Sequence, residues 1–404
     1  MTSGSGNHAP FTGRGEPGRK AVPGDARRHN RALVLRTMFR RGPLSRADLA
    51  RETNLTRVTT SDLATDLLSD GLIEELGTRV DQGRVGKPAT LLGVVPDARL
   101  TITLDLSDDE RFRAALVDLA GKVLDRRTAE RDDRTGDAAL DLARRLGADL
   151  AAAADRPLLG VGVGSPGVVD PRGTVLEAPN RGWHGVDLAS ALHDTLGVPV
   201  HVANDANAAA LGELGLAGRG DAAGPPADGD SDDGADGDPD DGHAARSLLV
   251  VKVGQGVGAG LVLDGHLVLG DRFAAGEIGH VVVDPDGEPC ACGRTGCLET
   301  VIAAPRLRRR CRLGDPVAEH TAAGRRLGEA LAPVISTLNL REVVLSGPVD
   351  VLDETFRVAA VDAIRARTMP AVGDHAEVRF SSLGEDDVLL GAAMLVLDRE
   401  LGVA

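Results

Sequence analysis

Residues 276–299 read GEIGHVVVDPDGEPCACGRTGCLE, and this stretch holds three of the four cysteines of a 404-residue chain. Cys290, Cys292 and Cys297, with His280 ten residues before the first of them, offer the nitrogen and sulfur ligands that structural Zn²⁺ takes in tetrahedral sites. Two glycines between Cys292 and Cys297 permit the tight turns that such a loop requires. The Cys-x-x-Cys spacing of redox sites is absent, and unrelated thiols would not cluster in this way. The sequence therefore predicts a structural zinc site on these four residues.

Two glutamates flank this cluster. Glu277 precedes His280 by one helical turn, and Glu299 follows Cys297 by two residues. A metal ion on one ring nitrogen of His280 fixes the tautomer and leaves the other nitrogen able to donate a hydrogen bond. Because carboxylates accept hydrogen bonds from vicinal hydroxyls, this pattern favours a sugar site whose polar groups are positioned by the metal.

The charge of the chain is divided unevenly. The formal net charge is −15, yet residues 1–93 hold 15 Lys/Arg and 10 Asp/Glu, a balance of +5, so the remainder carries −20. This asymmetry indicates a basic, nucleic-acid-binding module attached to an acidic body. No apolar run reaches membrane-spanning length, and the N-terminus lacks the apolar core of a signal peptide, which predicts a cytoplasmic protein with no membrane partner. Residues 1–28 are predicted to be a disordered tail.

Residues 29–95 have the pattern of a winged helix-turn-helix domain. Two short helices, the second capped by Ser45, precede the turn NLT and a third helix in which Val58, Leu63, Leu67 and Leu68 lie at helical spacing. Two strand-like runs around a Gly-rich tip follow, and they predict the wing. Short polar side chains and arginines can reach bases and phosphates. The predicted DNA contacts are Thr56, Arg57, Thr59, Thr60, Arg84 and Lys87. A small helical domain without DNA-binding function is the alternative.

From residue 97 the pattern is α/β, with glycine-rich loops at the ends of strands. Residues 97–217, joined by a C-terminal helix at 386–404, are predicted to form one lobe, and residues 247–385 a second lobe that carries the zinc site. A ligand cleft is expected between them. Residues 218–246 separate the lobes, and positions 221–241 contain nine Asp but no Lys or Arg. This stretch is predicted to be a disordered insertion, because it lacks the ligand alternation of a Ca²⁺-binding EF-hand.

These motifs resemble those of the ROK family (repressors, open reading frames and sugar kinases). The cysteine stretch is similar to the family signature GExGH and CxCGxxGCxE, and SPGVVD, NDANAAALGE and GQGVGAGLV stand at the expected positions over residues 97–404. The N-terminal module is similar to that of the repressor branch. The resemblance implies an α/β fold in which a winged helix-turn-helix precedes a two-lobed sugar-kinase/actin-like (ribonuclease H-like) body.

The resemblance also implies the residues of the site. It implies zinc on the histidine and the three cysteines. The implied sugar contacts are Gly167, Asn204, Asp205, Glu277, His280 and Glu299, with Asn180 as a further candidate. In the family's kinases, the acid that matches Asp205 is the general base, and a carboxylate within reach of the sugar hydroxyl suits that role.

One loop departs from the pattern of the kinases. Their first phosphate loop reads Asp-x-Gly-Gly-Thr, whereas residues 105–110 here read DLSDDE. Both glycines that expose backbone N–H groups are absent, and Asp108 and Asp109 are expected to repel a phosphate. The second loop keeps its glycines but has Gln255 where threonine is common in the kinases. Phosphoryl transfer is therefore not expected.

Two functions from different classes follow. The first is a sugar-responsive transcriptional regulator, a repressor, that binds palindromic operator DNA as a homodimer or homotetramer and binds a monosaccharide or derivative as effector. The second is an ATP-dependent sugar kinase that carries a DNA-binding module. A protein-interaction module that has lost both ligands is a third reading, and the intact acids and zinc ligands argue against it.

Overall fold

A computed structural model describes residues 23–79, 89–216 and 247–403. The disordered insertion predicted at 218–246 and the wing residues Arg84 and Lys87 lie outside these ranges. Among the described residues, no helix combines the length and the apolar character needed to cross a membrane.

The N-terminal module is a winged helix-turn-helix. Its elements are α1 (Pro23–Arg41), β1 (Leu44–Ser45), α2 (Arg46–Thr53), α3 (Arg57–Ser69), β2 (Ile73–Arg79) and β3 (Ala89–Val94), with the strands in the order β1-β3-β2. Ser45 caps α2 as predicted, because its side chain accepts from the Asp48 N–H and the Asp48 carboxylate accepts in return. Helix α1 begins at Pro23, so the expected tail is six residues too long. A proline in the first turn favours a helix start there, and Arg27 pairs with Asp66 of α3.

The first lobe is built on a five-stranded sheet. Its elements are β4 (Leu100–Asp105), β5 (Arg111–Asp118), β6 (Val123–Glu130), α4 (Gly136–Ala153), β7 (Leu158–Ser165), β8 (Val168–Val169), β9 (Thr174–Ala178), β10 (Trp183–Asp187), α5 (Leu188–Leu196), β11 (Val200–Asn204) and α6 (Asp205–Gly215). The sheet order is β11-β7-β4-β5-β6, and every residue of β4 is buried. The first sheet therefore has a fully buried central strand that ends at Asp105.

The second lobe repeats this plan. Its elements are β12 (Leu248–Val253), β13 (Val257–Leu263), β14 (His266–Leu267), α7 (Leu298–Ile302), α8 (Ala304–Leu313), α9 (Pro316–Leu338), β15 (Glu342–Ser346), α10 (Glu354–Arg365), α11 (Pro370–Gly373) and β16 (Glu377–Phe380), followed by α12 (Asp387–Leu401). The sheet order is β14-β13-β12-β15-β16. In both sheets the first strand pairs antiparallel with the second and parallel with the fourth. This repeat confirms the predicted two-lobed, actin-like α/β fold.

Helices α6 and α12 connect the parts of the molecule. They pack against each other, α6 also contacts β12 and β13, and α12 lies on β4 and β7 of the first sheet. Beyond α12, Gly402 packs so closely on α1 that a Cβ there would lie 2.7 Å from the Ala32 Cβ. Leu35 and Met38 of α1 share one buried cluster with Leu397 of α12. The N-terminal module and the first lobe therefore have a continuous core, and the C-terminal helix packs on the sheet of the first lobe.

Candidate metal centre and ligand cleft

The structure brings the four predicted metal ligands together. One ligand atom from each of His280, Cys290, Cys292 and Cys297 lies within 4.8 Å of the other three. The His280 Nδ1 is 3.5 Å from the Cys290 Sγ, and the Sγ atoms of Cys292 and Cys297 are 3.6 Å apart. Around a tetrahedral ion with metal–ligand distances of about 2.0–2.3 Å, ligand atoms are separated by about 3.3–3.8 Å. A disulfide would require about 2.05 Å. The geometry is therefore compatible with a bound metal ion.

Glycine allows the cysteine loop to turn back on itself. The two glycines between Cys292 and Cys297 have φ values of +86° and +70°. At the second of them, Gly296, a Cβ would lie 1.4 Å from the Asp284 carbonyl oxygen, which no side chain tolerates. The Gly296 N–H donates to the Glu288 carbonyl, and Cys297 forms a short bridge with Val282. The turn therefore fixes Cys297 directly before α7.

The thiols themselves point to a cation. Burial, followed by the neighbouring thiols, raises the pKa of Cys297 to about 12, and burial also raises the pKa of Cys290. A buried thiol of this kind stays protonated at neutral pH unless a nearby positive charge stabilises the thiolate. Three clustered thiols beside an imidazole are the soft donor set that binds such a cation.

Three polar groups predicted to contact a ligand surround this loop. The His280 Nδ1 faces the thiols, whereas its Nε2 is 3.9 Å from the Glu277 Oε2, beyond hydrogen-bond distance. Burial raises the pKa of Glu277, and the nearby Glu299 raises it further. Glu299 accepts from the Val257 N–H at 3.1 Å, in the second glycine loop. The imidazole Nε2 is therefore free to bind a ligand while Nδ1 faces the metal site.

The first lobe supplies the opposite side of the cleft. Asn204 caps α6, because its Oδ1 accepts from two backbone N–H groups, and its Nδ2 donates to the Gly167 carbonyl at 3.0 Å. One amide hydrogen of Asn204 remains for a ligand. Gly167 has φ +84°, and a Cβ there would lie 2.0 Å from the Glu177 carbonyl oxygen. The predicted Asn204 is thus mainly a structural residue that fixes the start of α6.

Asp205 is the first residue of α6 and lies in a charged environment. Burial raises its pKa to about 6, the carboxylate of Asp105 adds to the rise, and the ammonium group of Lys252 opposes it. The next residue, Ala206, packs on Gly258, whose Cβ would lie 3.5 Å away. Glu299 accepts from the N–H of Val257, the residue before Gly258. Asp205 and Glu299 therefore both lie close to the second glycine loop. Asn180 is exposed.

Sequence reasoning missed the two ion pairs whose charges act on Asp205 or on its neighbour Asp105. Lys252 Nζ lies 3.3 Å from the Asp387 Oδ2, and Arg113 Nη2 lies 2.6 Å from the Asp105 Oδ2. The signal for Lys252 is a lysine inside the apolar strand LLVVKV. A charge in such a strand requires a buried partner, but the sequence does not identify the partner.

It also missed Arg181, which holds the first loop. This arginine is fully buried, and it donates to the carbonyls of Leu106, Ser107 and Asp108 and pairs with the Asp109 carboxylate. The expectation that Asp109 repels phosphate is therefore wrong, because Arg181 neutralises it.

Several N–H groups of the same loop are already bound to carboxylates of that loop. The Ser107 N–H donates to the Asp105 carboxylate at 3.0 Å. The N–H groups of Glu110 and Arg111 donate to the Asp108 carboxylate at 2.7 and 3.3 Å. The loop thus binds its own carboxylates with the kind of backbone donors that bind phosphate in other proteins.

The exposed start of α3 carries most of the predicted DNA contacts. Thr56 caps the helix, and its Oγ1 lies 2.9 Å from that of Thr59; Arg57 is exposed. Thr60 is fully buried, so it cannot contact DNA and that prediction is wrong. Val58, which was placed at helical spacing with the apolar residues of α3, is 71% exposed and does not share their buried face. Thr60 lies three and four residues before Leu63 and Ala64, on the apolar face of the helix.

Comparisons with known proteins agree with this architecture. The ROK family model matches residues 102–223 and 240–399. A xylose repressor of Bacillus spizizenii is 24% identical over 400 residues, covering 93% of this chain and 96% of the repressor. A glucokinase of Halalkalibacterium halodurans is 31% identical over 280 residues, covering 60% of this chain and 77% of the kinase. The crystal structure of a ROK family transcriptional regulator, a homologue of the Escherichia coli Mlc protein, matches this chain with a TM-score of 0.76 at 24% identity. The match covers 94% of this chain and 98% of the regulator. The family match spans well over half of the sequence, and the chain belongs to the ROK family.

Proposed function

We propose that this protein is a DNA-binding transcriptional repressor that acts in the cytoplasm and takes a monosaccharide or a derivative of one as effector. The observation that carries the proposal is α12, which begins at Asp387 in the cleft and ends in the core shared with α1 of the DNA-binding module. A ligand that shifts the walls of the cleft therefore displaces α12 and, through the shared core, the DNA-binding module. The similarity to a xylose repressor over 93% of the chain supports the same function.

The groups of the cleft suit a polyhydroxylated ligand. Asp205, Glu277 and Glu299 are acceptors for sugar hydroxyls, and the free Nε2 of His280 and the remaining amide hydrogen of Asn204 are donors. A zinc ion on His280, Cys290, Cys292 and Cys297 would have all four positions filled by protein, which makes it structural. When bound, it would orient the imidazole and the start of α7, where Glu299 lies.

The first loop argues against phosphoryl transfer. Catalysis of that reaction depends on backbone N–H groups and cations that stabilise the phosphates. The N–H groups of Ser107, Glu110 and Arg111 already donate to carboxylates of their own loop. We infer that the protein does not phosphorylate its sugar, and that Asp205 serves as a hydrogen-bond acceptor.

A sugar kinase is the second candidate, because Asp205 stands where a general base is needed and the chain is 31% identical to a glucokinase over 280 residues. Incubating the zinc-loaded protein with ATP, Mg²⁺ and its sugar tests this directly. Sugar phosphate formed at about 1 per second or faster would establish the kinase instead.

DNA recognition is assigned to the N-terminal turn of α3 and to the wing. Arg57 suits phosphate or guanine contacts, Val58 suits a thymine methyl group, and Arg84 and Lys87 are the proposed contacts of the wing tip. A homodimer or homotetramer would present two modules to palindromic half-sites about 10 base pairs apart or a multiple of that spacing.

Two measurements test the regulator. Selection from a random DNA library with the full-length protein should enrich a palindrome, and affinity for it should fall steeply with salt because phosphate contacts release counterions. A thermal-shift screen that includes D-xylose and D-glucose should find a stabilising sugar, since a ligand at 100 times its Kd adds about 2.7 kcal/mol. If no DNA sequence is enriched and no sugar stabilises the protein, the proposal is wrong.

A further inference from the structure

Lys252 occupies an unusual place for a lysine. It lies in β12, where the other five residues are apolar and buried, and only 15% of its side chain is exposed. An ammonium group in such surroundings loses its hydration and requires acidic partners to remain charged. Lys252 Nζ lies 3.3 Å from the Asp387 carboxylate. In the sheet Lys252 pairs with Gly258, and Ala206, the residue after Asp205, packs on that glycine. Burial lowers the pKa of the lysine, but Asp387, Asp105 and Asp205 together raise it above its ordinary value. The lysine is therefore a buried cation at the base of the cleft.

The three carboxylates are not equally supplied with partners. Asp387 is bound by Lys252 at 3.3 Å and by the hydroxyl of Ser346. Asp105 accepts from Arg113 at 2.6 Å and from the Ser107 hydroxyl at 2.6 Å. These two acids each have a cation in direct contact.

Asp205 has no such contact. Across the described ranges, no side chain donates a hydrogen bond to its carboxylate, whereas a backbone hydrogen bond from Ala206 lowers its pKa. Three carboxylates thus share two cations, Lys252 and Arg113, and the unbalanced charge falls on Asp205. Its pKa of about 6 reflects this position, with burial and Asp105 raising the value and Lys252 lowering it.

We propose that Lys252 is a positioning residue for the ligand: its ammonium group, anchored by Asp387, is the internal counter-ion that keeps Asp205 ionised and able to accept a hydrogen bond from a ligand hydroxyl. Because the Lys252 ammonium group neutralises part of the charge of this carboxylate cluster, the cluster binds a divalent ion less favourably. The anchor also crosses the molecule, because Lys252 belongs to the second sheet and Asp387 begins α12 on the first. This inference rests on the proposed sugar-binding function, since that function identifies the ligand of Asp205.

A purely structural ion pair is the alternative, and the structure offers a matched control for it. Arg379 of β16 pairs with Glu213 of α6 at 2.7 Å, and Glu213 is fully buried. This second pair also joins the two lobes, but Arg379 is not among the largest influences on the pKa of Asp205. Replacing Arg379 removes a buried pair between the lobes without removing the cation that faces Asp205.

The test is a titration of Asp205 in the unliganded full-length protein, followed by the ¹³C signal of the aspartate carboxyl groups, with Asp205→Asn identifying the resonance. We expect a midpoint near 6 in the wild type. In Lys252→Met the midpoint should rise by about one pH unit or more, because an opposite charge has been removed. Lys252→Arg should restore the wild-type midpoint, and Arg379→Met should leave it unchanged. If Lys252→Met does not fold, Lys252→Gln makes the same prediction.

Sugar affinity measured over the same pH range provides the functional readout. Affinity should decline as the pH falls through the midpoint of Asp205, and this decline should begin at higher pH in Lys252→Met. Equal midpoints in the wild type and Lys252→Met would overturn the inference, and sugar binding could still stand. If the midpoint shifts while no sugar binds at any pH, the proposed function fails and the positioning role fails with it. A midpoint that shifts in both Lys252→Met and Arg379→Met would show that any broken pair between the lobes suffices, which would also overturn it.

Discussion

The two sides of the cleft are held by different forces. The ligands of the cysteine loop all lie within residues 280–297, and its three thiols lie together beside one imidazole. At the base of the cleft, Asp105, Asp205, Lys252 and Asp387 come from four separate elements. Ion pairs hold Asp105 to Arg113 and Asp387 to Lys252. The ligand site therefore depends on two independent conditions, a bound metal ion on one side and ionised carboxylates on the other. A chelator should disorganise the first side, and acid should discharge the second.

The largest effect is expected from removing a metal ligand. Cys297→Ser should lose most of the bound zinc and most of the affinity for sugar, because a serine hydroxyl is a poor zinc ligand and α7 begins at the next residue. Metal analysis of the purified protein and calorimetric titration with sugar measure both losses.

Cys311→Ser is the control for that variant, since Cys311 lies outside the ligand set and should change neither quantity. Normal sugar binding by a zinc-free Cys297→Ser protein would separate the metal from the cleft and refute the positioning role of the loop.

On the other side of the cleft, Asp205→Asn should weaken sugar binding about 10- to 100-fold. An amide replaces an ionised acceptor, and a hydrogen bond to a charged group is worth about 1.5–3 kcal/mol. Zinc content should remain unchanged, because Asp205 is not a metal ligand. Sugar affinity equal to that of the wild type would remove Asp205 from the site.

The next effect concerns the DNA-binding surface. Arg57→Ala should weaken binding to the selected operator by about 1–3 kcal/mol, because Arg57 is exposed at the start of α3. Fluorescence anisotropy with a labelled duplex measures this loss. Arg51→Ala is a control from the preceding helix, where Arg51 pairs with Asp48, and it should have a lesser effect. The reverse order would place the contact surface elsewhere.

The smallest effect concerns stability. The pKa of Asp205 is higher in the folded protein than its ordinary value of 3.8, so its ionised form destabilises the fold above pH 6, and this cost disappears as the pH falls towards 4. Asp205→Asn should therefore stabilise the unliganded protein at pH 7.5 by about 1–2 kcal/mol, and by almost nothing at pH 4. Thermal unfolding of both proteins at the two pH values measures the difference. A variant that is no more stable than the wild type at pH 7.5 would contradict the prediction.

The same comparison explains what could be predicted from the sequence. His280, the cysteines and Glu299 are close in the chain, so their spacing alone brings them to one place. The directly bound partners of Lys252 and Arg181 are 70 or more positions away in the chain, and only the packing of the folded structure identifies them. Thr60 was assigned to the DNA-binding face of α3 because threonine is a polar residue type. Its spacing of three residues from Leu63 places it on the buried face instead.

The central claim is that a sugar in the cleft changes the affinity of the same molecule for DNA without being phosphorylated. The direct test is to titrate a labelled duplex of the selected palindrome with zinc-loaded, full-length protein at fixed salt and pH 7.5, with and without saturating sugar, and to assay the same mixture with ATP for sugar phosphate. We predict a change in DNA affinity of about tenfold or more, in keeping with coupling energies of about 1–3 kcal/mol between sites, and no sugar phosphate. The same DNA affinity with and without bound sugar, or turnover of the sugar, would contradict the claim.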